Sequence, residues 1–248
     1  IIERDLIFND VGNKKVNLKV DLKSDSPQSS VCKIEVQELR NFISKKKAIF
    51  EVTMEALVSD AIGYVKETDD GWLVSVNENT KENIDLPFSL KVMIDRIESN
   101  REFFTILEGS YQGVKASVEM EQEKSRFFFK CPHTDPVQLT YSVSKKIVKF
   151  KNKTYQATDH PETPWKKGIY DIEIPDYSHK GGQNYPQSKY ATSWFLIGHD
   201  GERYLHLGTR SRGCMTVIEI NKWDELYKSL IIARKGDGKS IGIVKVID

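Results

Sequence analysis

The sequence has few cysteines that could form stabilising disulfides and no long apolar run that could anchor it in a membrane. Only three cysteines, Cys32, Cys131 and Cys214, occur in 248 residues, and an odd number leaves at least one free thiol. No run approaches the roughly 18–20 apolar residues needed to cross a bilayer, so we expect no membrane span. With 39% hydrophobic residues, the chain can instead bury a sizeable core.

The chain also lacks an excess of charge of either sign, because 37 basic residues are balanced by 36 acidic ones. This balance gives no reason to expect nucleic acid as a partner. The five histidines show neither zinc-ligand spacing with a cysteine pair nor an HExxH pattern. We therefore expect neither a metal nor another cofactor.

Two prolines in "CPHTDPVQ" mark a linker, and we place a domain boundary near Pro136. Residues 1–136 are predicted to form a mixed α+β domain of unknown role. Its predicted elements are a strand at Val16–Leu22, a helix over 36–51, a hairpin over 62–76 with its turn at Asp70–Gly71, a helix after Pro87 and a strand over 124–130.

Residues 137–248 are predicted to form a mainly β domain with one late helix. The helix begins at Asn221, a suitable N-cap residue. The predicted strands include Gly168–Ile174, a hairpin over 194–208 that turns at Asp200–Gly201, and a last strand over 240–247.

The segment "RYLHLGTRSRGCMTV" combines a histidine at a strand end with a cysteine in a tight turn. Cys214 is a candidate nucleophile, and His206 is the candidate base that would remove its proton. Gly213 allows a sharp turn, so that the Gly213 and Cys214 amides can form an oxyanion hole. A backbone carbonyl near Leu207 or Gly208 is expected to orient the imidazole. The alternative is a buried core thiol beside a hydrogen-bonded strand histidine.

This segment resembles the signature of the L,D-transpeptidase catalytic-domain family. The matching residues are His206, Gly208, Thr209, Ser211, Gly213, Cys214 and Met215. Upstream, "TPWKKGIYDI" is similar to the family's Thr-Pro-x-Gly-x-Tyr/Phe-x-Ile strand entry, and Trp223–Tyr227 is similar to its acidic helix. The resemblance covers about residues 142–248 and implies a β-sandwich with one late helix.

By this resemblance the substrate is a peptidoglycan stem peptide. Cys214 would attack the carbonyl before the terminal D-alanine, and His206 would then protonate the leaving amine. An amine acceptor would complete a cross-link, whereas water would give L,D-carboxypeptidase activity. The candidate substrate-binding residues are Gly208, Thr209, Arg210, Ser211, Arg212 and Tyr190. The start of the chain lacks a signal peptide, so we expect a trimmed product from the periplasm or another extracytoplasmic location.

The chain also departs from the family pattern. Arg212 replaces the second histidine of the signature, Thr216 replaces the later Arg or Asn, and the loop from His206 to Cys214 is shorter. Arg210 and Arg212 could bind a substrate carboxylate in a bidentate manner. A non-catalytic wall-binding module with the same fold stays open as an alternative. His199 is a rival base, although "HDGE" is typical of a hairpin tip.

Overall fold

A computed structural model describes residues 2–7, 15–20, 32–35, 49–52 and 61–248. The chain divides into two compact units, Ile1–Ser59 and Asp60–Asp248. In the first unit, strand β1 (Ile2–Ile7) pairs antiparallel with β2 (Lys15–Val20), and β3 (Cys32–Glu35) pairs antiparallel with β4 (Ile49–Val52). The strand predicted at Val16–Leu22 is confirmed by β2. Most of the helix predicted over 36–51 lies outside the described residues, and its last three residues belong to β4.

The second unit begins with a curled seven-stranded sheet of order β11-β5-β8-β9-β10-β6-β7. Its strands are β5 (Ala61–Val65), β6 (Trp72–Asn77), β7 (Asn83–Pro87), β8 (Lys91–Glu98), β9 (Arg101–Ile106), β10 (Lys115–Glu119) and β11 (Phe127–Phe128). The turn at Asp70–Gly71 is confirmed, with Gly71 at φ +85°. The predicted hairpin is wrong in its pairing, because β5 pairs with β8 and β6 pairs with β10 and β7.

The helix predicted after Pro87 is also wrong, because this segment forms the antiparallel hairpin of β8 and β9. Val92 and Ile94 are fully buried while their neighbours are partly exposed, which is the period of a strand. Ser99 and Asn100 adopt positive φ values of 50° and 61°, as a tight hairpin turn requires. The described residues of 1–136 therefore contain strands and no helix, which corrects the α+β prediction for this part of the chain.

The second sheet has eight strands in the order β15-β19-β12-β13-β14-β18-β17-β16. Its strands are β12 (Val137–Ser142), β13 (Ile147–Phe150), β14 (Lys153–Thr158), β15 (Gly168–Glu173), β16 (Phe195–Leu196), β17 (Tyr204–Leu207), β18 (Met215–Val217) and β19 (Ser240–Ile247). A bridge between Ile172 and Ile197 joins the two edges, so this sheet curls back on itself. The mainly β character predicted for 137–248 is confirmed.

The late helix α1 (Ile220–Ile231) is confirmed, although its N-cap is Glu219 and not Asn221. Its buried residues recur at three- and four-residue intervals and form one apolar face. They are Trp223, Leu226, Tyr227, Leu230 and Ile231. This face packs against Tyr190 and Phe195, whose rings lie 4.1 Å from Tyr227 and 6.2 Å from Trp223.

A buried ion pair links the two sheets within the second unit. Arg234, which follows α1, donates from Nε and Nη2 to Glu108 Oε1 at 2.9 and 2.8 Å. The chain passes from one sheet to the other between β11 and β12, where the sequence predicted a domain boundary near Pro136. That boundary stays a prediction. No helix among the described residues is long and apolar enough to cross a membrane.

Candidate active site

The candidate site is built on two short parallel strands, β17 and β18. Their register places His206 opposite Thr216 and Leu205 opposite Met215. Cys214 immediately precedes β18, two residues before Thr216. The fold therefore brings the segment that carries Cys214 next to the strand that carries His206.

Cys214 is a free, half-buried thiol. The preceding Gly213 has φ +120°, a backbone conformation that side chains strongly disfavour. Burial raises the pKa of the Cys214 thiol above its ordinary value. Two interactions act against this effect and lower the pKa. The Tyr204 amide donates to Sγ at 3.4 Å, and the positive charge of Arg203 favours the thiolate.

His206 is buried, with only 6% of its surface exposed. Its Nδ1 lies 2.7 Å from the carbonyl oxygen of Leu207, so the predicted carbonyl partner is found. Because a carbonyl can only accept, Nδ1 must carry the proton and Nε2 must be the free acceptor. The Thr216 hydroxyl, 3.2 Å from Nε2, is then its donor.

Burial lowers the pKa of His206 to about 4, a trend that its hydrogen bond to Leu207 opposes and nearby His179 reinforces. The imidazole is therefore neutral at physiological pH. Among the described residues, no hydrogen bond joins His206 to Cys214, and the thiol is protonated at rest because burial raises its pKa. The arrangement is therefore not a resting thiolate–imidazolium pair.

The tight turn before Cys214 is held by Ser211. The Gly213 amide donates to Ser211 Oγ at 3.1 Å, and this hydroxyl donates to the carbonyl oxygen of Cys214 at 2.6 Å. The Ser211 side chain thus stabilises the turn through two hydrogen bonds to its backbone. The Gly213 amide, predicted as an oxyanion donor, is already engaged, so Cys214 N–H is the stronger candidate of the two.

Arg203 is a site residue to which no motif or spacing in the sequence points. Its Nε donates to the carbonyl oxygen of Gly213 at 2.6 Å, and Nη2 donates to the carbonyl oxygen of Thr163 at 2.5 Å. The guanidinium lies over the Trp165 ring at 4.2 Å. Since the Gly213 carbonyl and the Cys214 amide belong to one planar peptide group, Arg203 also fixes the direction of Cys214 N–H.

A column of stacked aromatic rings covers the other side of His206. Trp194 stacks on His206 at 4.2 Å, His179 stacks on Trp194 at 4.4 Å, and Tyr177 stacks on His179 at 4.2 Å. Asp176 Oδ1 lies 2.9 Å from His179 Nε2. His179 is itself buried. The column restricts the His206 ring to one orientation.

The remaining predicted binding residues divide into three groups. Gly208 and Thr209 lie at the His206 end of the loop, where Tyr185 Oη accepts a hydrogen bond from the Thr209 amide at 2.9 Å. Arg210 and Arg212 are exposed, and neither forms an ion pair among the described residues. Tyr190 is different, because it is 1% exposed and its hydroxyl donates to Glu67. The substrate contact predicted for Tyr190 does not fit this burial.

The rival base His199 lies in the β16–β17 turn, as the sequence predicted. Its ring nitrogens contact Glu173 Oε1 at 2.7 Å and Asp171 Oδ2 at 2.8 Å, and these contacts raise its pKa. His199 is therefore engaged in its own ion pairs. Within residues 61–248, no group of three or more His, Cys, Asp or Glu side chains is arranged to hold a metal ion.

A cavity of about 600 Å³ opens beside the Cys214 turn. Its lining residues include Trp165, Tyr170, Ile197 and Arg203, and Arg203 also donates to the Gly213 carbonyl. The cavity is large enough to hold a small organic ligand.

No family model matches this chain, and no curated protein matches it. Among solved structures, the chain is similar to an L,D-transpeptidase from Mycobacterium tuberculosis H37Rv. The identity is 13%, the match covers 64% of this chain and 90% of that chain, and the TM-score is 0.31. At this TM-score the likeness carries no weight for function, which has to be argued from the residues of this chain.

Proposed function

We propose that the chain is a cysteine-dependent acyltransferase acting on peptidoglycan stem peptides, with Cys214 as nucleophile and His206 as general base. The single observation that supports the proposal is the parallel pairing of β17 with β18, in which His206 lies opposite Thr216, two residues after Cys214. The substrate class comes from the resemblance of residues 203–217 to the L,D-transpeptidase signature. An extracytoplasmic location belongs to the same proposal.

In the proposed reaction, His206 Nε2 takes the thiol proton as Sγ attacks the carbonyl carbon before the terminal D-alanine. The Thr216 hydroxyl has to rotate away from Nε2 for this transfer. Cys214 N–H, oriented through Arg203, donates to the developing oxyanion. The protonated imidazole then gives its proton to the leaving amine, and a thioester to Cys214 remains. An amine or water completes the cycle.

Two further functions are kept as candidates. L,D-carboxypeptidase activity differs only in using water as the acceptor. A non-catalytic wall-binding module is favoured by one observation, namely that both ring nitrogens of His206 are hydrogen-bonded to groups other than Cys214.

Incubation with disaccharide-tetrapeptide muropeptides, read by mass spectrometry, tests these functions. Loss of D-alanine with dimer formation supports transpeptidation, and loss of D-alanine alone supports the carboxypeptidase. Both activities must disappear in Cys214→Ala and persist in Cys131→Ala, a matched control because Cys131 is a free but exposed thiol. Binding without turnover or a covalent adduct on Cys214 would indicate the wall-binding module.

A further inference from the structure

We propose that Trp72 of the first sheet is a positioning residue for the candidate base His206. It acts through residues 189–194, a segment that ends in Trp194, whose ring stacks on the imidazole at 4.2 Å. The consequence for catalysis rests on the proposed function, whereas the structural link can be tested without a substrate. The seven-stranded sheet, whose role the sequence leaves open, would then support the candidate site.

One hydrogen bond joins the first sheet directly to this segment. The indole Nε1 of Trp72, the first residue of β6, donates to Thr192 Oγ1 at 3.0 Å. Trp72 is only 3% exposed, so its N–H depends on this acceptor, because a buried donor without a partner is costly. The Thr192 carbonyl oxygen in turn accepts from the His179 amide at 2.9 Å. Thr192 thus links the first sheet to the aromatic column, in which His179 stacks on Trp194 at 4.4 Å.

A second contact holds the beginning of the segment. Glu67, in the turn between β5 and β6, accepts hydrogen bonds from Tyr190 Oη and, at 3.0 Å, from Lys189 Nζ. The Tyr190 ring packs against Gly71 of the same turn, where an added Cβ would lie 3.0 Å from ring atom Cδ1. The first sheet therefore contributes to the burial of Tyr190, the residue for which a substrate contact was predicted.

The segment passes its own position on to the imidazole. The late helix holds its start, because the Trp223 indole N–H donates to the Tyr190 carbonyl oxygen at 3.0 Å. Thr192 lies closer to Trp194 along the chain, and Trp194 Nε1 donates to the Ala191 carbonyl oxygen at 3.0 Å. A shift of the backbone at 191–192 would therefore move the indole plane. Since the imidazole packs against that plane, its orientation depends on the contact with the first sheet.

Proton NMR of the His206 ring tests this link without a substrate, and the resonances missing from His206→Gln assign its signals. In the parent protein, the ring current of Trp194 should shift the carbon-bound protons of the imidazole upfield, and burial lowers the pKa of His206 to about 4. Thr192→Val keeps the shape of the side chain and removes the acceptor. The upfield shift should then shrink, and the pKa of His206 should rise toward its ordinary value of about 6.5 as water reaches the ring.

Three variants control this measurement. Thr192→Ser keeps a hydroxyl and should restore both the shift and the pKa. Trp72→Phe removes the same hydrogen bond from its donor side and should change both signals in the same direction as Thr192→Val, so a folding defect in one variant leaves the test intact. Thr105→Val is the matched control, since the Thr105 hydroxyl donates to Asp95 Oδ2 at 3.0 Å within the first sheet. It should leave the His206 signals unchanged.

Turnover of muropeptides gives a separate readout. Thr192→Val should lower kcat by about 3- to 30-fold, because small displacements of a catalytic group are costly. KM should stay unchanged, since the lost contact supports the base and not the substrate. Unchanged His206 signals in both Thr192→Val and Trp72→Phe, or equal changes in Thr105→Val, would overturn the positioning role. An inactive parent protein would count against the proposed function instead, and the NMR result would still decide the role of Trp72.

Discussion

Thr216 Oγ1 lies 3.2 Å from His206 Nε2 across the parallel pair of β17 and β18. The hydroxyl is the donor in this contact, because Nδ1–H is committed to the Leu207 carbonyl. Thr216 is fully buried, so no water can take its place. Thr216 therefore holds the imidazole and occupies its basic nitrogen.

Thr216→Val keeps the shape of the side chain and removes the donor. We expect the free energy of unfolding to fall by about 1–3 kcal/mol, the cost of an unsatisfied buried acceptor, measured by urea denaturation. Turnover of muropeptides should fall as well, because the ring loses one of its two anchors. Thr216→Ser should restore both quantities. A valine variant as stable and active as the parent would mean that the contact has no role.

Arg203→Lys should slow turnover strongly, by about 10- to 100-fold, because lysine cannot hold the Gly213 and Thr163 carbonyls in the same planar geometry. Without that anchor the Gly213–Cys214 peptide is free to rotate, and the oxyanion donor loses its direction. Single-turnover acylation of Cys214, followed by mass spectrometry, is the measurement. Arg96→Lys changes an exposed arginine of β8 and should have little effect. An equal loss in both variants would show that Arg203 has no specific role in orienting the Gly213–Cys214 peptide.

Gly213→Ala tests two separate demands on the turn. The backbone φ of +120° disfavours a side chain, and a Cβ would lie 3.2 Å from Arg203 Nε. We expect a stability loss of roughly 1–3 kcal/mol from backbone strain and a loss of activity from displacement of Arg203. Gly201→Ala is the matched control, since Gly201 has φ +116° with no atom within 4 Å of the added Cβ. It should show the strain alone, with stability reduced and activity retained.

The pH dependence of Cys214 alkylation distinguishes a resting thiol from a resting ion pair. Burial raises the pKa of Cys214 and lowers the pKa of His206 to about 4. The rate of Cys214 alkylation by iodoacetamide should therefore rise only at alkaline pH, above the ordinary thiol pKa of about 8.5. It should show no plateau between pH 5 and 7. A plateau in that interval would show a thiolate stabilised by imidazolium and would overturn the general-base assignment. Cys131→Ala removes the exposed thiol that would otherwise contribute to the signal.

The features of this molecule that can be predicted from the sequence are those determined by contacts between residues close together in the chain. The turn at Asp70–Gly71, the helix face beginning at Trp223 and the Leu207 carbonyl beside His206 each depend on contacts within a few residues. Arg203 depends on Thr163, 40 residues away, and Tyr190 is buried through Glu67, 123 residues away. No local pattern encodes such contacts.

The wrong prediction of a helix at residues 91–106 has a different cause. Leu90, Met93, Ile94 and Ile97 recur at helical spacing, yet the same segment also alternates through Val92 and Ile94. The turn residues Ser99 and Asn100 favour the hairpin, and a partner strand, β5, is present to pair with β8. Tertiary pairing decides between two local patterns of similar strength.

Glu102 provides a test of the first sheet that does not depend on the proposed activity. Its side chain is fully buried on β9, and burial raises the pKa of its carboxyl above the ordinary value, an effect that the Arg126 amide at 2.7 Å partly opposes. A carboxyl whose pKa is higher in the folded state binds its proton more tightly there. Its contribution to stability is therefore full below the unfolded pKa and is lost as pH rises toward the folded pKa.

Glu102→Gln removes this titration while keeping the shape of the side chain. Relative to the parent, the variant should gain stability as pH rises from the ordinary carboxyl range, reaching about 1–3 kcal/mol above the folded pKa of Glu102. Urea denaturation at a series of pH values measures the difference. Glu119→Gln, an exposed change on the neighbouring strand β10, should follow the parent at every pH. A pH-independent difference between the Glu102 variant and the parent would show that the buried carboxyl does not titrate abnormally.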